Sequence, residues 1–354
     1  MLHDNNTPLP ALGFEQWHPN GSNMAVIVAR ARIRVEPDGS QYFVPDTELV
    51  LADEFSGDPH KTPMQRCNDL IPFKPFADLT VQADLHAAEP AEVLTGSIRC
   101  GDTFVELRGT GPRHWFHDKR WRLSTPEPTT RVPVSYDLTA GGRIVGDPEG
   151  EVDPRNPIGP GIIHPEFTPT TIELRAPQIS SDMAPLSAKP GSRPEPQGFG
   201  PMPPWWLARQ QYAGTYDEAW LQDVHPRLPA DFDYRHYQVA HPDLVLPHYL
   251  WPGMTIETRG LLPGGAAFTL QIPDIMPFAS FRFTDGRQVQ ARLHLDGLHL
   301  DLRGPEPVYD LTWRCWMETC PSLHRIDLHM DRSDVVCAMQ LPVAGEAGLT
   351  MEAS

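Results

Sequence analysis

Ala25-Val26-Ile27-Val28-Ala29-Arg30-Ala31-Arg32-Ile33-Arg34-Val35 decides the fold class. Ala25, Ile27, Ala29, Ala31, Ile33 and Val35 fall on one side of an extended chain, and Val26, Val28, Arg30, Arg32 and Arg34 on the other. Successive side chains of a strand point to opposite faces, so this period of two predicts a half-buried strand. Asp38-Gly39 follows, a pair that accepts the positive φ angles of a tight hairpin, and Tyr42, Phe43 and Val44 run back. Further along, Leu79, Val81, Ala83 and Leu85 alternate with Thr80, Gln82, Asp84 and His86. Gly101-Asp102 then separates two more extended runs, 93–100 and 103–108, and this part of the chain reads as an antiparallel meander.

The C-terminal part repeats the pattern. Phe268, Leu270 and Ile272 make a short strand, and Asp285-Gly286 divides 278–284 from 288–295, where Val289, Ala291, Leu293 and Leu295 share a face. Asp296-Gly297 is read as a second turn, leading into Leu298, Leu300 and Leu302, with 308–316, 323–330 and 334–341 continuing the sheet. The fold class expected is mainly β: antiparallel meanders forming sandwich- or barrel-like sheets, with long proline-rich loops and few short helices.

Forty prolines in 354 residues exclude long helices, since proline cannot donate to a helix or a central strand. Fourteen of them fall in 148–204. The chain therefore divides into an N-terminal segment (1–20), an N-terminal β half (21–147), a proline-rich irregular connection (148–227), a C-terminal β half (228–345) and a tail (346–354). Within the connection, 187–198 reads as dispensable. A short helix is expected near 216–223, with Asp217 and Glu218 in its first turn and Trp220 and Leu221 on its buried side.

The net charge of −17 disfavours nucleic acid and anionic membranes as partners and suits a basic protein. No apolar run approaches the ~18 residues of a membrane span. Met1-Leu2-His3-Asp4-Asn5-Asn6 lacks the basic start and apolar stretch of a secretion signal, so a cytoplasmic location is expected. Five cysteines, Cys67, Cys100, Cys315, Cys320 and Cys337, are odd in number and widely spaced, which predicts reduced thiols and no zinc site.

Motifs for catalysis are missing. There is no phosphate loop, no GxSxG elbow (Gly96-Ser97-Ile98 lacks the spacing) and no HExxH helix. Fifteen histidines prompt a search for metal ligands: His114 with His117, His294 with His299, and Asp327, His329 and Asp331 on one strand face. Solvated imidazoles and carboxylates explain them more simply. Asp231 and Asp233 have the look of a paired-carboxylate site, but capping of a turn beside Arg235 accounts for them. No catalytic residue, cofactor or metal is expected. The aromatics Trp205, Trp206, Tyr212 and Trp220 are candidate partner contacts, because rings beside prolines bury large area at low entropy cost, although anchoring a long irregular loop onto the core is the better reading for any single one of them.

Several blocks occur in a fixed order: 72–78 (Pro-Phe-Lys-Pro-Phe-Ala-Asp), 111–115 (Gly-Pro-Arg-His-Trp), 126–128 with 131–136, 155–159 (Arg-Asn-Pro-Ile-Gly), and 228–237 running on to Ala240, Pro242, Asp243 and Leu246. Over roughly 20–300 the chain resembles a bacterial family, long called a domain of unknown function, found beside type VI secretion genes. The resemblance implies a non-catalytic adaptor or chaperone. Such a protein binds a toxic effector and loads it onto the secretion spike, the valine-glycine repeat protein or its tip. Its motif positions fall here on Lys74, Asp78, Arg113, Trp115, Arg155, Asn156, Asp231, Phe232, Asp233 and Tyr237. Gly141-Gly142 matches a two-glycine segment of the family, whereas 143–152 and 177–204 diverge. The residues alone make Lys74, Arg113, Arg155 and Asn156 braces for turns. Two other classes stay open: a carbohydrate-active or metal-dependent hydrolase using the Asp and His groups, and a carbohydrate-binding β module with Trp205 and Trp206 as stacking platforms.

Overall fold

The computed structural model describes residues 2–330 except 19, 148, 168–173, 188 and 320–321. The strand read from 25–35 is the centre of the molecule. As Asn23–Val35 it pairs antiparallel with the whole of Val308–Glu318, from Val308 opposite Arg34 to Glu318 opposite Met24. The sheet built on this pair has seven strands. Its order is Val245–Leu246, Ala77–Gln82, His294–Asp301, Val308–Glu318, Asn23–Val35 and Ala11–Trp17, with Gln41–Phe43 also on Asn23–Val35. Ala77–Gln82 and His294–Asp301 run parallel, so strands far apart in sequence alternate across this sheet and the meander holds only locally.

Two further sheets close the interior. One has five strands, Ile179–Ser180, Thr103–Thr110, Val93–Cys100, Thr255–Leu262 and Ala266–Gln271; the other has four, Asp4–Asn5, Leu323–Met330, Pro277–Phe283 and Gln288–Arg292. A single apolar core takes Ile27, Ile33, Tyr309 and Trp313 from the first sheet, Ile98, Leu107 and Ile256 from the second, and Phe281, Ile326 and Leu328 from the third. The fold is mainly β, with open sheets packed face to face rather than closed barrels. The hairpins at Asp38-Gly39, Gly101-Asp102 and Asp285-Gly286 form as expected; Gly39 and Gly286 sit at φ +87° and +86°.

Asp296-Gly297 is not a turn. His294–Asp301 runs straight through it as one strand, and the register against Val308–Glu318 shifts between Leu295 and Gly297, so the pair forms a bulge. Asp296 is buried there beside Arg314, and that contact needs a continuous strand. A second correction concerns the central strand, which is buried on both faces: even Arg30 is only 4 % exposed.

Two short α-helices, Leu207–Gln210 and Glu218–Asp223, occur among the described residues. Asp217 caps the second by accepting a bond from the Trp220 N–H at 2.8 Å. Its expected buried side is wrong: Trp220 is half-buried, Leu221 is exposed, and the helix has no buried residue. Segment 187–198 is not dispensable at its end, since Gln197 is buried, Phe199 beyond it is fully buried, and the Pro196 carbonyl is bonded to the His241 ring. The proposed strand 334–341, the tail, Cys320, Cys337 and Asp331 lie outside the described residues. No helix among the described residues is long and apolar enough to cross a membrane.

Gly141 and Gly142 take φ +133° and +93°, and a Cβ on Gly142 would stand 2.1 Å from the Gly159 carbonyl oxygen. The neighbouring Asn156 side chain donates to the carbonyls of Tyr136 (2.8 Å) and Ala140 (2.9 Å) and to the Thr139 hydroxyl (3.0 Å). The loop and its partner are thus stapled backbone to backbone. Gly142→Ala is expected to lower stability by about 2 kcal/mol or more, read as a fall in urea midpoint at unchanged slope.

Candidate functional site

The largest convergence of titratable groups lies on the outer face of the seven-stranded sheet. Alternation places Arg30 and Arg32 of the central strand beside Asp310, Thr312 and Arg314 of its neighbour, with His299 and Thr80 on the next two strands. That face is roofed by the segments 44–76 and 195–240, so most of its charges are cut off from bulk water and pair with one another. Asp69 accepts both bonds of Arg30 Nη1 (3.0 and 2.9 Å) and one from the Val50 N–H. Asp310 receives Arg30 Nη2 at 2.7 Å and Arg32 Nε at 2.9 Å, and Arg314 bonds Asp296. Lys74 Nζ lies 2.7 Å from Asp78, whose oxygens also accept from Gln238 Nε2 and the N–H groups of Val239 and Ala240. Four cations, Arg30, Arg32, Lys74 and Arg314, thus meet four carboxylates, Asp69, Asp78, Asp296 and Asp310.

These environments oppose one another. Burial pushes the Asp310 carboxyl up, but Arg30 and Arg32 outweigh it and hold that carboxyl below the usual range. Burial wins at Asp296, which is raised despite Arg314. Burial also drives His299 down to about 4 against the attraction of Asp310, and its Nδ1 sits 2.9 Å from the Thr80 hydroxyl. The Cys67 thiol at the edge is pushed up to about 12, which leaves it no thiolate at neutral pH. The space among these groups is about 50 Å³, the scale of a few water molecules. Converged titratable groups are therefore present, but every carboxylate among them is bonded to a cation and the chamber is too small for an ordinary substrate. Larger hollows of about 400 and 540 Å³ lie beside Gln82 and Tyr136 and along 44–54.

The motif positions read from the sequence fall into this bracing system or beside it. Lys74 and Asp78 are the staple just described. Asp153 holds Arg155 through Nε (3.0 Å) and Nη2 (2.7 Å), while Arg155 Nη1 reaches Glu195 at 3.1 Å. Arg113 donates to the Ser124 carbonyl, and Trp115, 8 % exposed, centres a small second core with Ile163 and Ala176. Asp231 accepts from the Thr215 N–H and hydroxyl, and Asp233 caps the turn 234–237 while accepting from Arg235. Bonds from Thr215 and from Arg235 hold these two carboxyls below their ordinary values, the opposite of what a general acid requires. Among the described residues, no group of three or more His, Cys, Asp or Glu is placed to hold a metal ion. Asp327 is instead bound by Arg325, and the His329 ring stacks on Phe278.

The candidate contact aromatics divide. Trp206 is 1 % exposed, edge-on to Tyr136 at 5.1 Å, and has no surface left for a partner or a sugar ring. It is an anchor, as is the half-buried Trp205 stacked on Phe55. Tyr212 lies under Arg235 at 4.3 Å, Trp220 sits between Tyr216 and His225, and Phe232 touches Tyr234 and Tyr237. His18, Phe73 and Trp316 continue this cluster onto the sheet. Sequence reasoning missed Asp69, Asp296, Asp310 and Arg314. A signal for Asp310 and Arg314 was present in 310–314, where an acid and a base share the strand face that meets the arginines of the central strand; none marked Asp69 or Asp296.

Residues 20–314 match the profile of a family described as an uncharacterized protein conserved in bacteria, DUF2169. The chain belongs to that family. The matched span contains the whole ion network and all ten motif positions. No curated protein and no solved structure matches the chain.

Removing Asp78 strands Lys74 and three N–H donors in the interior, so Asp78→Ala is expected to lose about 3–5 kcal/mol in urea unfolding. For His299 the folded value lies below the unfolded one of about 6.5. The unfolded chain then binds the proton first, so this stability is present above pH ~6.5 and is lost as pH falls toward 4. Roughly 2 kcal/mol is expected, discounted because the ring keeps some contact with water. His299→Gln should flatten the stability profile across that window, as followed by urea midpoints.

Proposed function

We propose that this protein is a non-catalytic adaptor or chaperone that binds a type VI secretion effector and promotes its loading onto the secretion spike. The observation that carries the reading is the division of labour among side chains. The charged groups able to do chemistry are spent on one another in the roofed network, while the irregular segment they hold, 205–251, carries rings on the outside. A loop held by buried ion pairs loses little freedom on binding, and preorganised aromatic surface is what protein interfaces use. The resemblance in 72–78, 111–115, 155–159 and 228–237 supplies the secretion context, and the excess of acid suits a basic partner.

Acting as an adaptor requires a stable complex before secretion. The purified chain is expected to co-elute in size-exclusion chromatography with an effector or spike-tip protein encoded beside it. If no product of the adjacent effector and spike genes shifts the elution of the chain, the proposal fails.

A further inference from the structure

The 212–237 segment breaks a local rule. An amphipathic helix turns its apolar side inward, yet in Glu218–Asp223 Leu221 is 57 % exposed and the adjacent Tyr216 is 52 % exposed. The helix ends on Asp223, and the cation that a helix C-terminus favours comes from four residues on, where Arg227 Nη2 donates to the Asp223 carbonyl at 3.5 Å. Apolar side chains left in water without local gain mark positions kept for another purpose.

The surroundings extend the same chemistry. Trp220 Nε1 donates to the Arg227 carbonyl at 3.0 Å, and the Arg227 side chain lies against Gly21 at the tip of the first hairpin. On that tip Asn20 and Ser22 donate to Glu318 at 3.5 and 3.3 Å, and Gln16 reaches Tyr237. Along this continuous face stand Asp217, Glu218, Asp223, Asp231, Asp233 and Glu318, and only Asp233 has an ion-pair partner among the described residues. Arg227 and Arg235 are the cations set against these six carboxylates. The rings between them are held fixed: Tyr216 on Trp220 at 4.7 Å, Tyr212 under Arg235, and Tyr234 against Phe73 at 5.1 Å.

We infer that this acidic, aromatic face is the docking surface for a cationic partner segment that also carries apolar side chains. Lysine or arginine side chains of the partner neutralise the unpaired carboxylates, and its apolar side chains cover Tyr216, Trp220 and Leu221, rings and all already in position. The inference rests on the adaptor reading and names the chemistry of the partner surface it engages.

The test measures fluorescence anisotropy of labelled peptides against the full chain. The probe is an amphipathic lysine–leucine peptide, compared with versions in which glutamate replaces lysine or serine replaces leucine. Both substituted peptides are expected to bind at least about tenfold more weakly, the scale of a single strong interface contact. Tyr216→Ser with Leu221→Ser, and separately Asp223→Lys with Glu318→Lys, should each weaken the lysine–leucine peptide about tenfold, with thermal melting still cooperative and lowered by no more than about 4 °C. Asp102→Lys with Glu106→Lys makes the same charge change on the exposed face of another hairpin and should alter binding less than about twofold. Equal weakening by this control pair reduces the effect to net charge and overturns the inference. So does tight binding of either substituted peptide, or no binding of the lysine–leucine peptide to the unmodified chain. Co-elution with an adjacent gene product that persists in both face variants refutes this surface alone; no co-elution by the unmodified chain refutes the adaptor reading itself.

Discussion

The structure depends on a sheet whose second face is charged and nevertheless covered. Arg30, Arg32, Asp310 and Arg314 stand where an ordinary sandwich would show water or a second apolar layer. Covering them removes hydration worth several kcal/mol per ion, and only short, hydrogen-bonded pairing restores it. The roof is therefore obliged to deliver carboxylates at fixed positions. Asp69 arrives on the loop 44–76, and its own carbonyl also accepts from Arg314 Nε at 3.3 Å. Asp78 opens a strand and reaches across to the backbone of 238–240. Electrostatic compensation and loop position are one constraint here, and Asp69, Lys74 and Asp78 meet both at once.

The prolines have a physical place in the same scheme. An irregular roof over a sheet needs its polar backbone satisfied without a ladder, and each proline removes a donor while fixing φ. Side chains then close what remains: Asn156 bonds three groups of 136–140, and Arg209, 4 % exposed, donates to the carbonyls of Met202 and His236. Arg209 has no carboxylate bonded to it, and burial lowers its pKa from the ordinary value. It is the one buried guanidinium of the roof held by carbonyl oxygens alone among the described residues.

How much of this was legible follows from which interactions are local. Hairpins at Asp38-Gly39 and Asp285-Gly286 depend on the φ angles of two residues, and the sequence contains that information outright. The same dipeptide at 296–297 becomes a bulge because a distant arginine, Arg314, needs Asp296 in line, and no local pattern expresses that. Arginines alternating with apolar residues in 29–34 read as a solvated face because alternation reports only two different sides, not which of them is wet. Trp206 was ambiguous for a related reason: proline-flanked rings serve as anchors or as contacts, and burial separates the two. By contrast, Asp233 was correctly read as a turn cap, since capping is settled within a few residues, whereas Asp231 bonds Thr215, sixteen residues away.

Neutralising the interior has a consequence for the exterior. With four cations balanced by four carboxylates inside the network, the network contributes nothing to the net charge of −17, which therefore resides elsewhere, chiefly at the surface. Surface charge of one sign acts over about 8–10 Å at physiological salt, so it steers an approaching basic partner while the paired interior has no long-range field to oppose it. The protein thus separates two uses of the same residue types. Aspartates facing arginines under the roof fix shape, and aspartates facing solvent beside Tyr216 and Trp220 set the charge of the surface a partner meets. Because the first group is saturated by its neighbours, changes to the second can alter association without disturbing the fold that presents it.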